Sequence, residues 1–120
     1  GRIYQTWPLM GYSYFPDDFS FTGFYSFFDL NNHSLVQFYH RNLAYFIIFY
    51  IVVLSIDILK KKLSYLYNPL KILLFILSLQ VILGIYTLLS GLNIYLASLH
   101  QIVSVLLIFS ALNLYFFRVK

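Results

Sequence analysis

Long apolar runs, rather than alternating patterns, organise this chain. Three are long enough for a helix to cross a bilayer, which takes about 20 residues. The first extends from about Val36 to Leu59, and its unbroken part, NLAYFIIFYIVVLSI, lies between Arg41 and Asp57. The second, Ile72 to Ser90, and the third, Leu92 to Phe117, contain no formal charge. The third is long enough to tilt. Between the first two, the stretch from Lys60 to Lys71 contains KKK and Asn68-Pro69 and predicts an interfacial turn. Ser90-Gly91-Leu92-Asn93 predicts a tight helical hairpin. Residues 1–35 differ in kind: they are aromatic, punctuated by Gly and Pro, and hold no continuous apolar run. They lack the basic start and short apolar core of a signal peptide. They predict an outer loop or interfacial cap with its rings at headgroup level. The expected fold is therefore all-α. It is an integral membrane bundle of three transmembrane helices over residues 36–120, preceded by an N-terminal outer loop over residues 1–35.

Composition narrows the functional classes. The 120 residues are 61% hydrophobic and only 10% charged, against about 25% charged in a soluble domain. Such a chain does not suit a soluble globule, nor disorder, which needs low hydrophobicity and high charge. There is no cysteine, hence no disulfide framework and no thiolate metal site. The net charge of +4 forms no basic stripe, so nucleic acid is not an expected partner. Membrane lipid is. The basic residues set the orientation: Lys60, Lys61, Lys62 and Lys71 share one connection and Arg118 and Lys120 end the chain. Basic loops stay on the cytoplasmic or matrix side, which places the N-terminal segment and the Ser90–Asn93 hairpin outside. The chain begins at Gly1 without Met, so a further segment upstream is expected.

Candidate chemistry rests on histidine. His33 falls in the outer segment and reads as a solvated loop residue. His40 opens the first span and His100 the third. At a rise of about 1.5 Å per residue, His40 lies about 30 Å from Lys60 and His100 about 27 Å from Arg118. The two imidazoles therefore share a height near the outer face, on helices that can be neighbours. This arrangement suits two axial ligands to one haem iron, because neutral imidazole enters a membrane at modest cost and binds iron well. Small neighbours, Ala44 on the first span and Ala97 and Ser104 on the third, leave room for a flat macrocycle. Gln80, Gly84 and Thr87 form a similar stripe on the middle span. The alternative is that all of these pack a bundle, with the histidines as interfacial anchors. Arg41 either pairs with a haem propionate or snorkels to the headgroups.

Four segments carry a family resemblance. VQFYHRNLAY (Val36–Tyr45) resembles the QF-x-HR-x-LAY signature of heme A synthase, in the C-terminal half of that family. LQVILGIYTLL (Leu79–Leu89), LASLHQIVSVLLI (Leu96–Ile108) and IYQTWPLMG (Ile3–Gly11) resemble its QV-x-LG-x-x-TLL segment, its LA-x-x-HQ helix and its PLMG outer loop. The order is also that of the family. The resemblance implies one half of a protein built from two homologous four-helix halves, each with two histidines on the outer side. The whole enzyme would oxidise the C8 methyl of heme O to the formyl group of heme A, for cytochrome c oxidase assembly. His40 and His100 would hold a haem b, with Arg41 beside it. The implied membrane is the mitochondrial inner membrane or the bacterial plasma membrane. Heme O synthase, a second copy of the chain and an electron donor are further candidate partners, together with a missing N-terminal half.

The chain also departs from the pattern. Where the family's N-terminal half has a glutamate implicated in catalysis, three positions before its first histidine, this chain has Gln37, and it contains no glutamate at all. The helix expected before the PLMG loop is absent, so the bundle reads as an incomplete four-helix half that is not catalytic alone. Two other readings compete: a stand-alone electron-transfer cytochrome b, and a structural subunit of a respiratory complex.

Overall fold

The computed structural model describes residues 3–120. Three helices carry the chain: α1 (His33–Lys60), α2 (Tyr67–Leu89) and α3 (Ile94–Val119). Each is long and apolar enough to cross a membrane, and there is no strand among the described residues. The all-α expectation holds, with shifted boundaries. α1 starts three residues earlier than its apolar run because Asn32 caps it, its Oδ1 accepting from the Leu35 amide. His33 is therefore the first helical residue, still exposed, rather than a loop residue. α2 starts five residues before its apolar run and takes in Asn68-Pro69. Proline is tolerated there because the amides of the first helical turn have no intrahelical acceptor to lose.

Both interhelical turns close by the same device. After α1, the Lys62 amide donates to Leu59 O and the Leu63 amide to Ile58 O; after α2, the Gly91 amide donates to Leu88 O and the Leu92 amide to Thr87 O. These are Schellman caps, which need a left-handed residue just past the helix. Lys62 (φ 52°) and Gly91 (φ 73°) supply it. Asn93 then caps α3 by accepting from the Tyr95 and Leu96 amides.

The apolar core is one-sided. Ile51, Ile58, Leu66, Leu70, Leu73, Leu77 and Leu114 are buried together, all in the half of the bundle nearer the lysine-rich turn. Asp57, the one acid on the spans, is neutralised at that end by Lys61 (2.8 Å). α2 packs along α3 far more extensively than along α1. Between α1 and α3 an apolar groove of about 400 Å³ runs from Phe46 and Tyr50 to Tyr115 and Arg118. Most large apolar side chains on the spans face outward, which in a chain of this composition means lipid or other helices. Hydroxyls that would meet hydrocarbon are bonded inside their own helices: Ser55 to Ile51 O, Ser78 to Leu74 O and Thr87 to Leu83 O.

At the opposite end a second, smaller core forms from the outer segment. Tyr4, Met10, Ser34 and Leu35 are buried there. Tyr4 is its hub: the phenol accepts from the Asp17 and Asp18 amides and donates to the Asp18 carboxylate. Tyr14 and Phe15 pack edge-on against Phe38 of α1. The segment is therefore folded onto α1 rather than extended along the membrane, while Tyr12, Phe24, Tyr25 and Phe28 point outward as an aromatic rim. Rings of this kind favour the headgroup layer.

Candidate functional site

The histidine end is where α1 and α3 present their imidazoles to each other. The His40 and His100 ring centres are 6.3 Å apart with their planes at 79°. Two imidazoles bound to one metal through bonds of about 2 Å would have ring centres roughly 6 Å apart, once the ring radius is added on each side. Near-perpendicular planes are compatible, since each ring can turn about its own metal–nitrogen axis. The shared height read from helix rise is thus realised as facing rings.

α2 supports His100 from behind. Gln80 Nε2 lies 3.4 Å from His100 Nε2. The glycine at 84 lets the ring lie against the helix backbone: a Cβ there would sit 3.0 Å from His100 Cε1 and 3.5 Å from Nδ1. Of the stripe on the middle span, Gln80 and Gly84 meet His100, whereas the Thr87 hydroxyl turns to its own helix. The polar groups at this contact are not all satisfied. Among the described residues, Gln80 Oε1 and His100 Nδ1 are buried without a hydrogen-bond partner. A buried polar atom left alone costs about 1–3 kcal/mol, and a bound water or ligand is one of the ways in which such a group is satisfied. The separation of the two imidazoles and their nitrogen donors fit an iron centre that both would hold. Of the other small neighbours, Ala44 and Ala97 are half-buried, and Ser104 bonds its own helix at Gln101 O.

Arg41 is committed in a way that sequence reasoning missed. Its Nη1 donates to Pro8 O (3.3 Å) and Leu9 O (3.2 Å), and its Nη2 to Thr6 O (2.6 Å). Its guanidinium is thereby tied to the N-terminal loop. Guanidinium has five donors; three are engaged, and Nε–H with one Nη2–H remain for a further acceptor. Gln37, one turn earlier on the same face, donates to Tyr4 O (2.7 Å) and accepts from Tyr4 N (2.9 Å). This two-way clasp needs an amide, because a carboxylate cannot donate. The signal available in the sequence was the spacing of Gln37 and Arg41, four residues apart beside His40.

Similarity to known proteins accords with this geometry. A family model described as cytochrome oxidase assembly protein matches residues 1–112. The chain is 40% identical over 96 residues to the heme A synthase of Pelagibacter ubique, covering 78% of this chain and 27% of that protein. The heme A synthase of Wolbachia pipientis is 36% identical over 97 residues (81% and 26%), and that of Rickettsia massiliae 38% over 100 (81% and 28%). The chain thus spans little more than a quarter of the length of these relatives. No solved structure matches it. With three membrane-length helices and relatives of this kind, the chain is a membrane protein and belongs to the heme A synthase family of cytochrome oxidase assembly proteins.

Proposed function

We propose that this chain is the haem b-binding, C-terminal half of a heme A synthase, with residues 1–35 as its outer segment and 36–120 as its membrane bundle. The observation that carries the reading is the facing pair His40–His100, 6.3 Å between ring centres. In this reading the two imidazoles would hold the iron, Gln80 orients the His100 ring, and Gly84 leaves the space the ring needs. The bound haem supplies one-electron transfer at its iron. Arg41 offers its two remaining donors to a propionate at the membrane surface while the other three keep hold of the loop. Mitochondrial inner membrane or bacterial plasma membrane is the proposed location, and an electron donor and heme O synthase are the proposed partners.

Oxidation of the heme O C8 methyl would then belong to the whole enzyme. Gln37, in the place of the implicated glutamate, carries no charge and is spent on the Tyr4 backbone. Asp57 lies about 25 Å below His40 along α1, from 17 residues at about 1.5 Å each, and is paired with Lys61. Expressed alone in cells without a synthase, the chain is expected to retain haem b and leave heme O unchanged. An N-terminal half in the same membrane is expected to restore conversion. Chromatography of extracted haems decides it: heme A from these 120 residues alone refutes the division of labour, and a purified chain without a haem spectrum refutes the haem site.

Arg41 gives a graded test. Arg41→Lys keeps the charge but only three donors on one nitrogen, which cannot serve loop and propionate together. Arg41→Leu loses both. Haem occupancy is expected to fall in the order wild type, Lys, Leu, measured as haem per protein; equal occupancy in all three removes the propionate role.

A further inference from the structure

The main core does not reach the histidines. Its buried residue nearest His40 on α1 is Ile51, with the half-buried Ile48 packed on it, so about 12 Å of helix, 8 residues at about 1.5 Å, stands between that packing and His40. Over its whole length α1 packs far less against α2 than α3 does. A tilt of about 10° would move His40 by about 2 Å over that lever arm, about the whole length of an iron–imidazole bond.

What does span the gap is the Tyr4–Leu9 stretch. Gln37 pairs both ways with the Tyr4 backbone, and Arg41 gathers the carbonyls of Thr6, Pro8 and Leu9. Five hydrogen bonds thus tie this strap to α1 on the turn that carries His40. Its Gln5 side chain lies against the α2–α3 turn, where a Cβ on Gly91 would be 3.7 Å from Gln5 Nε2. The strap therefore reaches from α1 to the α2–α3 turn.

We infer that Gln37 and Arg41 are positioning residues: through the Tyr4–Leu9 strap they set the separation of α1 and α3 at the histidine end, and with it the His40–His100 gap. The consequence for a bound metal rests on the haem reading above; the control of helix separation does not. Gln37 is the sharper handle, because its amide is matched donor to acceptor and acceptor to donor, and it makes no contact with either histidine that the structure records.

The chain itself supplies the tools for a test. It has no cysteine and a single tryptophan, Trp7, which lies in the strap. Nitroxide labels on Leu43→Cys and Leu99→Cys, both exposed positions near the two histidines, report the α1–α3 distance in the full chain in lipid nanodiscs. Gln37→Leu and Gln37→Glu are expected to lengthen and broaden that distance by about 2 Å, from the lever arm above, and to raise the acrylamide quenching of Trp7. In haem-loaded protein the same variants are expected to convert low-spin iron to a mixture with high-spin. Should Gln37→Leu lose its helical circular dichroism, Gln37→Glu, of nearly the same shape, decides. An unchanged distance and Trp7 quenching in folded variants overturns the inference. A released strap with an unchanged distance overturns it as well, by showing that the strap sets nothing. Failure of the wild type to bind haem refutes the haem reading only, and the label distance still decides this one.

Discussion

His40→Ala and His100→Ala are each expected to abolish the six-coordinate, low-spin haem spectrum. On the haem reading proposed above, each ring would supply one ligand from the pair whose centres lie 6.3 Å apart, so either truncation would leave the iron a single protein ligand. Other candidates do not replace it: Gln80 is an amide that has contact with His100 only at 3.4 Å, and no third His, Asp or Glu joins the pair in a metal-binding cluster among the described residues. Removing even an outer partner of a metal ligand lowers affinity roughly 10–100-fold, so loss of the ligand itself is expected to lower haem retention at least that far. His33→Ala is the control. His33 is exposed at the first residue of α1, about two turns and 10 Å above His40, and its loss is expected to leave the spectrum unchanged. Optical and electron paramagnetic resonance spectra of purified protein measure all three. Low-spin haem surviving in both ligand variants would remove the site.

Gly84→Leu is expected to be nearly as severe as His100→Ala, although it removes no ligand. The first atom of any side chain at 84 would lie 3.0 Å from His100 Cε1 and 3.6 Å from Nε2. A methyl group requires the ring to retreat by a few tenths of an ångström; an isobutyl group displaces it. Overpacking of this kind costs about 1–3 kcal/mol, whereas replacing a helical glycine by alanine gains about 0.5–1 kcal/mol of helix stability. The two opposed effects separate the variants. Gly84→Ala should keep or increase thermal stability while shifting the haem spectrum, and Gly84→Leu should lose most of the haem with α2 still helical. Circular dichroism beside the haem spectrum reads both quantities. A Gly84→Leu protein with wild-type low-spin haem would show that His100 is not seated as the structure has it.

The end-to-end asymmetry of the bundle gives these effects a common origin. The lysine end is held by apolar contact, which tolerates exchange among residues of similar volume. The histidine end is held by a few directed hydrogen bonds and one glycine, where single atoms matter. Substitutions of similar size are therefore expected to cost stability at Leu73 or Leu77 and to cost haem binding at Gln80, Gly84 or Gln37.

The three apolar runs were enough to determine the three spans, because burying backbone polar groups in hydrocarbon permits helices and little else. That the two histidines share one end of the bundle was legible as well, since the rise of a helix converts residue number directly into height along it. That His40 and His100 face each other across the bundle was decided by rotation and tilt of whole helices, which residue counting does not contain. The start of α2 was misread at Asn68-Pro69, because proline signals a turn inside an element and a good first turn at its beginning. The strap was invisible for a deeper reason. Gln37 and Arg41 bind backbone amide and carbonyl groups of Tyr4, Thr6, Pro8 and Leu9, and every residue carries a carbonyl. Which ones are met depends only on where the folded chain brings them.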